Sequence, residues 1–249
     1  MSGIASAPIS LNGFFGRSSD DDESDSENHA DNDESTTPSF EQIYEEQLLL
    51  MGDLHVKIRQ FSWHQANGNQ VWPGAFKLAT FIIEKRSHYN DGVILELGAA
   101  TGALAIFLST QPRCYKVITS DIDDGGDVEE NIRYNFQLNN IALVPHVPFT
   151  WGNNLTDAFE KFSDQITLQD IRYIVASDIL LYVSAYPALV QSLVALFSVG
   201  TVKEFLMSWQ RRIDESKLFF NLMTEAGFAV ETFGGGIYSF SFTNTKSDI

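Results

Sequence analysis

Val93-Ile-Leu-Glu96-Leu-Gly98-Ala99-Ala100-Thr-Gly102 is an apolar run that breaks into glycines. A run of this kind reads as a buried strand ending in a tight turn. Glycine lets the backbone turn sharply and approach a ligand closely. Ala103–Ser109 continues with a helix-like pattern, and a helix starting there aims its first N–H groups at whatever the turn holds. Lys116–Ser120 is a second apolar run, and Asp121 at its end lies nineteen residues past Gly102. That is about the spacing at which an acid reaches ribose hydroxyls in a nucleotide-binding βαβ unit. The unit therefore suits a ligand that contains adenosine. A purely structural glycine turn would show the same pattern.

The same alternation extends outward from this run. Val128–Asn139 has a helical pattern, Ile171–Ala176 that of a strand, and Ala188–Phe197 that of an apolar helix. Glu204–Trp209 reads as a strand and Glu215–Ala226 as an amphipathic helix. Phe228–Phe233 and Ile237–Phe242 alternate around Gly234-Gly235-Gly236 like a hairpin. Strands alternating with helices imply an α/β fold with a parallel sheet, and two successive strands at the end add an antiparallel element. No internal repeat or low-complexity linker follows Phe40, so residues 40–249 read as one domain.

The chain has 249 residues and a formal net charge of −17. Nine acids fall between residues 20 and 34, and Arg17 is the one base before residue 40. With no apolar face from 17 to 39, residues 1–39 read as a disordered acidic tail, most simply a solubilising one. Ser18, Ser19 and Ser24 each precede an acid by three residues, which suits an acid-directed kinase. Phe14-Phe15 reads as a solvated pair, with a short docking element as the other reading. The acidic balance argues against nucleic acid and against anionic membranes as partners. Cys114 is the single cysteine, so no intrachain disulfide forms and a reduced compartment is expected. No secretory signal is visible, and residues 173–199 are too polar for a membrane span. These features predict a soluble cytoplasmic or nuclear protein.

A dinucleotide fingerprint wants glycine where Ala100 stands, so the turn fits that class poorly. Glu96 points elsewhere, because an acid there can accept hydrogen bonds from the turn or from a cationic ligand amine. The segment Glu96–Gly102 resembles motif I of seven-stranded S-adenosylmethionine (AdoMet) methyltransferases. Val71-Trp72-Pro73-Gly74-Ala75, Thr119-Ser-Asp121, Thr150-Trp151-Gly152 and Ala176-Ser177-Asp178-Ile-Leu-Leu181-Tyr182 extend the likeness in order. The set is similar to methyltransferase family 16, many of whose members methylate protein lysines, and it covers roughly residues 45–243. It implies a Rossmann-like seven-stranded, mostly parallel sheet with an antiparallel C-terminal hairpin strand and helices on both faces.

The resemblance also implies roles. Gly98, Ala99 and Ala100 would line the methionine and ribose end of AdoMet, with Glu96 a further cofactor-binding residue. Asp121 would hold the ribose hydroxyls, with Asp123 a nearby rival. Trp151 would lie against the adenine, Trp72 would close over the cofactor, and Ser177 would border it. Asp178 would face both cofactor and substrate and hold the target amine, and Tyr182 would orient or cover it. Two positions depart from the family pattern. Ala100 replaces a common glycine, which is costly if φ there is positive. The aromatic expected three residues after Asp178 is Leu181, with Tyr182 one place later.

Other residues read as structure. Asn131, Asn135 and Asn139 share one helix face and suit backbone hydrogen bonding. The histidines show no metal-ligand spacing, so no metal is expected. Ser184 sits in no nucleophile elbow. Arg211-Arg212 could orient an acidic substrate or pair with Asp214 or Glu215. The leading expectation is a monomeric AdoMet-dependent methyltransferase acting on a lysine-bearing protein. A small-molecule N-methyltransferase and a non-catalytic AdoMet-binding module are the alternatives.

Overall fold

Val93–Leu97 is buried along its whole length, as an interior parallel strand must be. The computed structural model describes residues 42–242, except 86–87, 90–91, 112–114 and 211–212. The acidic tail, Cys114 and Arg211-Arg212 lie outside the described residues. Nine strands are described: β1 (Tyr44–Met51), β2 (Leu54–Phe61), β3 (Val93–Leu97), β4 (Lys116–Asp121), β5 (His146–Pro148), β6 (Ile171–Ser177), β7 (Glu204–Ser208), β8 (Phe228–Gly234) and β9 (Ile237–Phe242). The helices are α1 (Pro73–Glu84), α2 (Ala103–Ser109), α3 (Asp127–Leu138), α4 (Leu155–Glu160), α5 (Tyr186–Ser198) and α6 (Lys217–Glu225).

Seven strands form one sheet in the order β5-β4-β3-β6-β7-β9-β8. All neighbours are parallel except β9, which runs against both β7 and β8. This is the expected fold class. The chain steps outward from β3 to β4 and β5, then returns to place β6 on the other side of β3. Strand order reverses there, and the crevice beyond the carboxyl ends of β3 and β6 is where such sheets bind ligands.

Alternating side chains build a core on each face. Val93, Leu95 and Leu97 face α4, α5 and α6, together with Ile174, Ala176, Phe205 and Met207. Ile94 faces the opposite way, toward α1, α2 and α3, with Tyr173, Val175 and Leu206. Helices therefore cover both faces, as a fully buried parallel sheet requires. Among the described residues no helix is long and apolar enough to cross a membrane.

The hairpin β1–β2 forms a separate two-stranded sheet. Sequence reasoning did not find it. It leans on α2 and α3 through Met51, Val56 and Ile58, which are buried among α-helical residues of that face. The outer edge of β2 is completed by side chains. Asn139 Oδ1 accepts from Lys57 N at 2.9 Å while its Nδ2 donates to Lys57 O at 2.6 Å. Asn135 does the same for Arg59, at 2.6 and 3.1 Å. The asparagine face of α3 thus bonds backbone, as expected, but the backbone of a distant strand. Asn135 Nδ2 also donates to Thr101 O at 3.0 Å, which ties the glycine turn to this assembly.

Candidate active site

The turn after β3 carries the geometry of the site. Gly98 has φ +68°, and a Cβ there would lie 2.8 Å from Ile179 Cγ2. Only glycine meets both demands. Ala99 N donates to Ser120 O at 3.1 Å, fastening the turn to β4. Ala100 has φ +50°, so its methyl group costs roughly 1–2 kcal/mol of backbone strain. Its N–H donates to Asp121 Oδ2 at 2.7 Å, and Ile122 N donates to Oδ1 at 2.8 Å. The turn and the acid that ends β4 are therefore one hydrogen-bonded unit. Burial pushes the Asp121 carboxyl up, while the two amides act against it. Asp123 is exposed, and its amide donates to Thr150 Oγ1 at 3.2 Å.

Glu96 lies under this turn, 2% exposed, on the face toward α2. Burial pushes its carboxyl up to about 8; the Ala105 amide opposes that rise and the Asp121 charge adds to it. Its Oε2 is buried without a hydrogen-bond partner. An orphaned acidic oxygen beneath a glycine turn fits a ligand that carries a cationic amine.

The other wall comes from β6, β7 and the start of α1. Ser177 ends β6, buried, in register with Ser208 at the end of β7. Asp178 follows with φ +55° and is 2% exposed. Its Oδ2 accepts from Gly74 N at 2.6 Å, at the first turn of α1. The helix N-terminus, with Pro73 at N1, favours a carboxylate there. A Cβ on Gly74 would meet Asp178 Oδ2 at 2.8 Å and Ser208 Oγ at 3.0 Å. Gly74 is therefore the point where α1 touches the sheet end. The Ser208 Oγ is buried without a hydrogen-bond partner.

The aromatic residues flank this core. Trp72 is half-buried at the N-cap of α1, and its Nε1 donates to Asn67 O at 3.1 Å. Tyr182 is 38% exposed. Its hydroxyl accepts from Asn67 Nδ2 at 2.5 Å and donates to Gln65 O at 3.3 Å. Burial pushes the phenol up. Trp151 follows β5, half-buried against the α4–α5 core. Gly152 N beside it donates to Ser192 Oγ at 2.9 Å. Among the described residues no group of three or more His, Cys, Asp or Glu side chains could hold a metal.

The sequence-derived residues thus divide into linked groups. Glu96, Gly98, Ala99, Ala100 and Asp121 form the turn and its acids. Ser177 and Asp178 end β6, where Asp178 meets α1. Trp72 and Tyr182 are joined through Asn67, and Trp151 stands at the end of β5. Sequence reasoning missed Ser208, Gly74, Asn67 and the His64–Asp124 pair. Gly74 lies inside a quoted motif, and Ser208 sits at the carboxyl end of a recognised strand. His64 and Asn67 left no pattern, because their partners are remote in sequence.

Comparison with known proteins bears on the fold and the family. The chain is 32% identical over 124 residues to the protein-lysine N-methyltransferase EEF2KMT of Mus musculus, covering 47% of this chain and 36% of that one. It is 34% identical over 113 residues to the histone-arginine methyltransferase METTL23 of Xenopus laevis, covering 45% and 44%. The chain therefore spans less than half the length of these curated relatives. A solved structure of the 16S rRNA methyltransferase RsmC of T. thermophilus, in complex with AdoMet and guanosine, shares the fold. Its TM-score is 0.53 at 13% identity, over 80% of this chain and 51% of that one. The sequence profile of the lysine methyltransferase family, methyltransferase family 16, matches residues 52–226, and the chain belongs to that family.

Proposed function

We propose that the protein is an AdoMet-dependent methyltransferase that methylates a lysine side chain of a protein. One observation carries the reading: the Gly98–Gly102 turn and Asp121 are hydrogen-bonded into one cradle at the sheet's switch point. Bound AdoMet would supply an electrophilic methyl group on a sulfonium. Ala99 and Ala100 would border its methionine and ribose, and Asp121 would take the ribose hydroxyls. Glu96 would receive the cationic amine on its orphaned oxygen. Trp151 would lie against the adenine, a stacking worth roughly 1–3 kcal/mol by analogy with base–aromatic contacts.

The chain's own task is alignment. In-line displacement needs a neutral amine held along the breaking bond. A free lysine has a pKa of about 10.4, so neutrality at pH 7 costs about 4.6 kcal/mol. Desolvation and the nearby sulfonium charge lower that cost. Asp178 acts against it electrostatically, since a carboxylate favours the charged amine. Its bond to Gly74 instead fixes α1, and with it Trp72, against the end of β6. Tyr182 covers the mouth beside it. The acidic surface suits a basic target, and neither nucleic acid nor a second copy is required.

Calorimetric titration of AdoMet and of its demethylated product tests the cradle, with Asp121→Ala in parallel. Wild-type binding that the variant loses is expected. Radiolabelled methyl transfer to lysine in protein fractions then tests the acceptor. Methylation confined to small molecules would replace the protein substrate, and binding without turnover would leave an interaction module.

A further inference from the structure

The segment Ser62–Trp72 links β2 to α1, and its side chains reach the loops on both sides of β3. On one side His64 Nε2 lies 2.9 Å from Asp124 Oδ2, with both side chains about 4% exposed. Asp124 also accepts from Gly126 N and Val128 N, at 2.9 and 3.2 Å, and so holds the start of α3. His64 Nδ1 accepts from Ala66 N at 3.2 Å and from Gly68 N at 3.0 Å. Two amides donating to Nδ1 leave the ring proton on Nε2, where it is donated to Asp124. The ring is thereby bonded at both nitrogens. It organises its own loop and anchors that loop to the region after β4.

On the other side Asn67 is the hub. Its backbone sits at φ +57°, a conformation that asparagine tolerates better than most residues. Its side chain donates to the Tyr182 hydroxyl, and its carbonyl accepts from the Trp72 indole. Tyr182 follows β6, Asp124 follows β4, and both strands flank β3. Strands lie about 4.8 Å apart, so a segment tied at both places crosses roughly 10 Å of sheet end. What it crosses is the carboxyl end of β3, where the glycine turn lies. Gly68 holds the His64 side close: a Cβ there would lie 2.9 Å from Val128 Cγ2, so the segment runs hard against α3.

We propose that His64 and Asn67 are positioning residues that fasten Ser62–Trp72 as a strap over the cofactor turn, with Asn67 setting Trp72 and Tyr182 at its mouth. The proposal rests on reading that turn as an AdoMet site. Cofactor arrives and leaves when one fastening opens. The Asn67–Tyr182 end is exposed and yields first, while the His64–Asp124 end is buried and holds.

Stopped-flow tryptophan fluorescence of the full chain with AdoMet tests this. Asn67→Gly keeps the left-handed backbone and removes the amide, and Tyr182→Phe removes the same bond together with the longer one to Gln65 O. Each should raise both the association and the dissociation rate by about fivefold, the worth of one hydrogen bond on an opening equilibrium. The double variant should do no more than Tyr182→Phe alone. A residue that merely stabilises the fold would not speed association. Rates within about twofold of wild type in both single variants would overturn the strap. If wild type binds no AdoMet, the cofactor reading falls by itself. Exchange of the Trp72 indole proton, which is bonded to Asn67 O, then decides the fastening: faster exchange in Tyr182→Phe supports it, and unchanged exchange overturns it.

Discussion

The two ends of the central sheet treat polar groups and backbone in opposite ways. At the carboxyl ends of the strands, Ala100 and Asp178 hold positive φ, and Asn67 does so in the strap above them. Among the described residues only one other non-glycine residue does this, Asn140, which follows the end of α3. Glu96 Oε2 and Ser208 Oγ are buried there without partners. At the amino end of β7 the acid is fully engaged. Glu204 Oε1 accepts from Ser239 Oγ at 2.5 Å, and Oε2 meets His88 Nε2 at 3.1 Å. Tyr89 and Tyr173 pack edge to face beside them, and the Tyr173 hydroxyl donates to His88 O at 2.7 Å. Burial, and then the Glu204 charge, push the Tyr89 phenol up. One end keeps backbone strain and two unmet hydrogen bonds, which a ligand can relieve; the other satisfies the acid of β7 and leaves Ser109 Oγ, at the end of α2, as its unpartnered atom.

Three experiments would sharpen or break that contrast. The largest effect is expected at Glu96. Its carboxyl titrates near 8 in the native chain against 4.5 when unfolded. Between those values the native state keeps a proton that the unfolded state has lost. Stability therefore falls as pH rises through that window, by up to about 1.4 kcal/mol per unit, and levels off above it. Glu96→Gln should flatten this fall in urea titrations repeated across the window; an unchanged slope would mean that Glu96 is not strained. Ala100→Gly comes next. Relief of the left-handed backbone, less the entropy that glycine adds to the unfolded chain, should leave a gain of about 0.5–1 kcal/mol. A lower melting temperature in the variant would count against strain at that turn. His88→Gln should matter least. Its side chain is 57% exposed, so a change below about 1 kcal/mol is expected. A larger loss on denaturant titration would show that the quiet end also bears load.

The same contrast explains what was legible. The turn after β3 announced itself because glycine is needed there for reasons of backbone geometry, and those leave a mark on composition. α2 and β9 fall on their expected bounds, since apolar periodicity dictates them directly. β5 went unseen because it is three residues long and contains Pro148, tolerable only because β5 lies at the sheet edge. α1 was missed although Pro73 at N1 and the buried Ala75, Leu78, Ala79 and Ile82 mark it at helical spacing. The hairpin β1–β2 turns through Gly52-Asp53 alone, a usable signal, but Leu48–Met51 is a continuous apolar run rather than an alternating one. For the site, residue types marked the turn and the acid to which it is hydrogen-bonded. The anchoring of Asp178 on Gly74 bridges 104 positions of sequence, and no local pattern encodes it.

The asparagine face of α3 works as a vernier against β2. Four residues of helix advance about 6.0 Å, whereas two residues of strand advance about 6.7 Å. The scales coincide at Lys57–Asn139 and still agree at Arg59–Asn135. One division further the helix lags by about 1.4 Å. Asn131 accordingly falls short of Phe61 and turns back to Arg59, bonding its carbonyl at 3.2 Å and its Nε at 2.8 Å. Phe61 N is left to Asn69 O, within the strap itself. A mismatch of pitch between two regular structures thus sets where the hairpin stops being read by α3 and where the chain is released to cross the site.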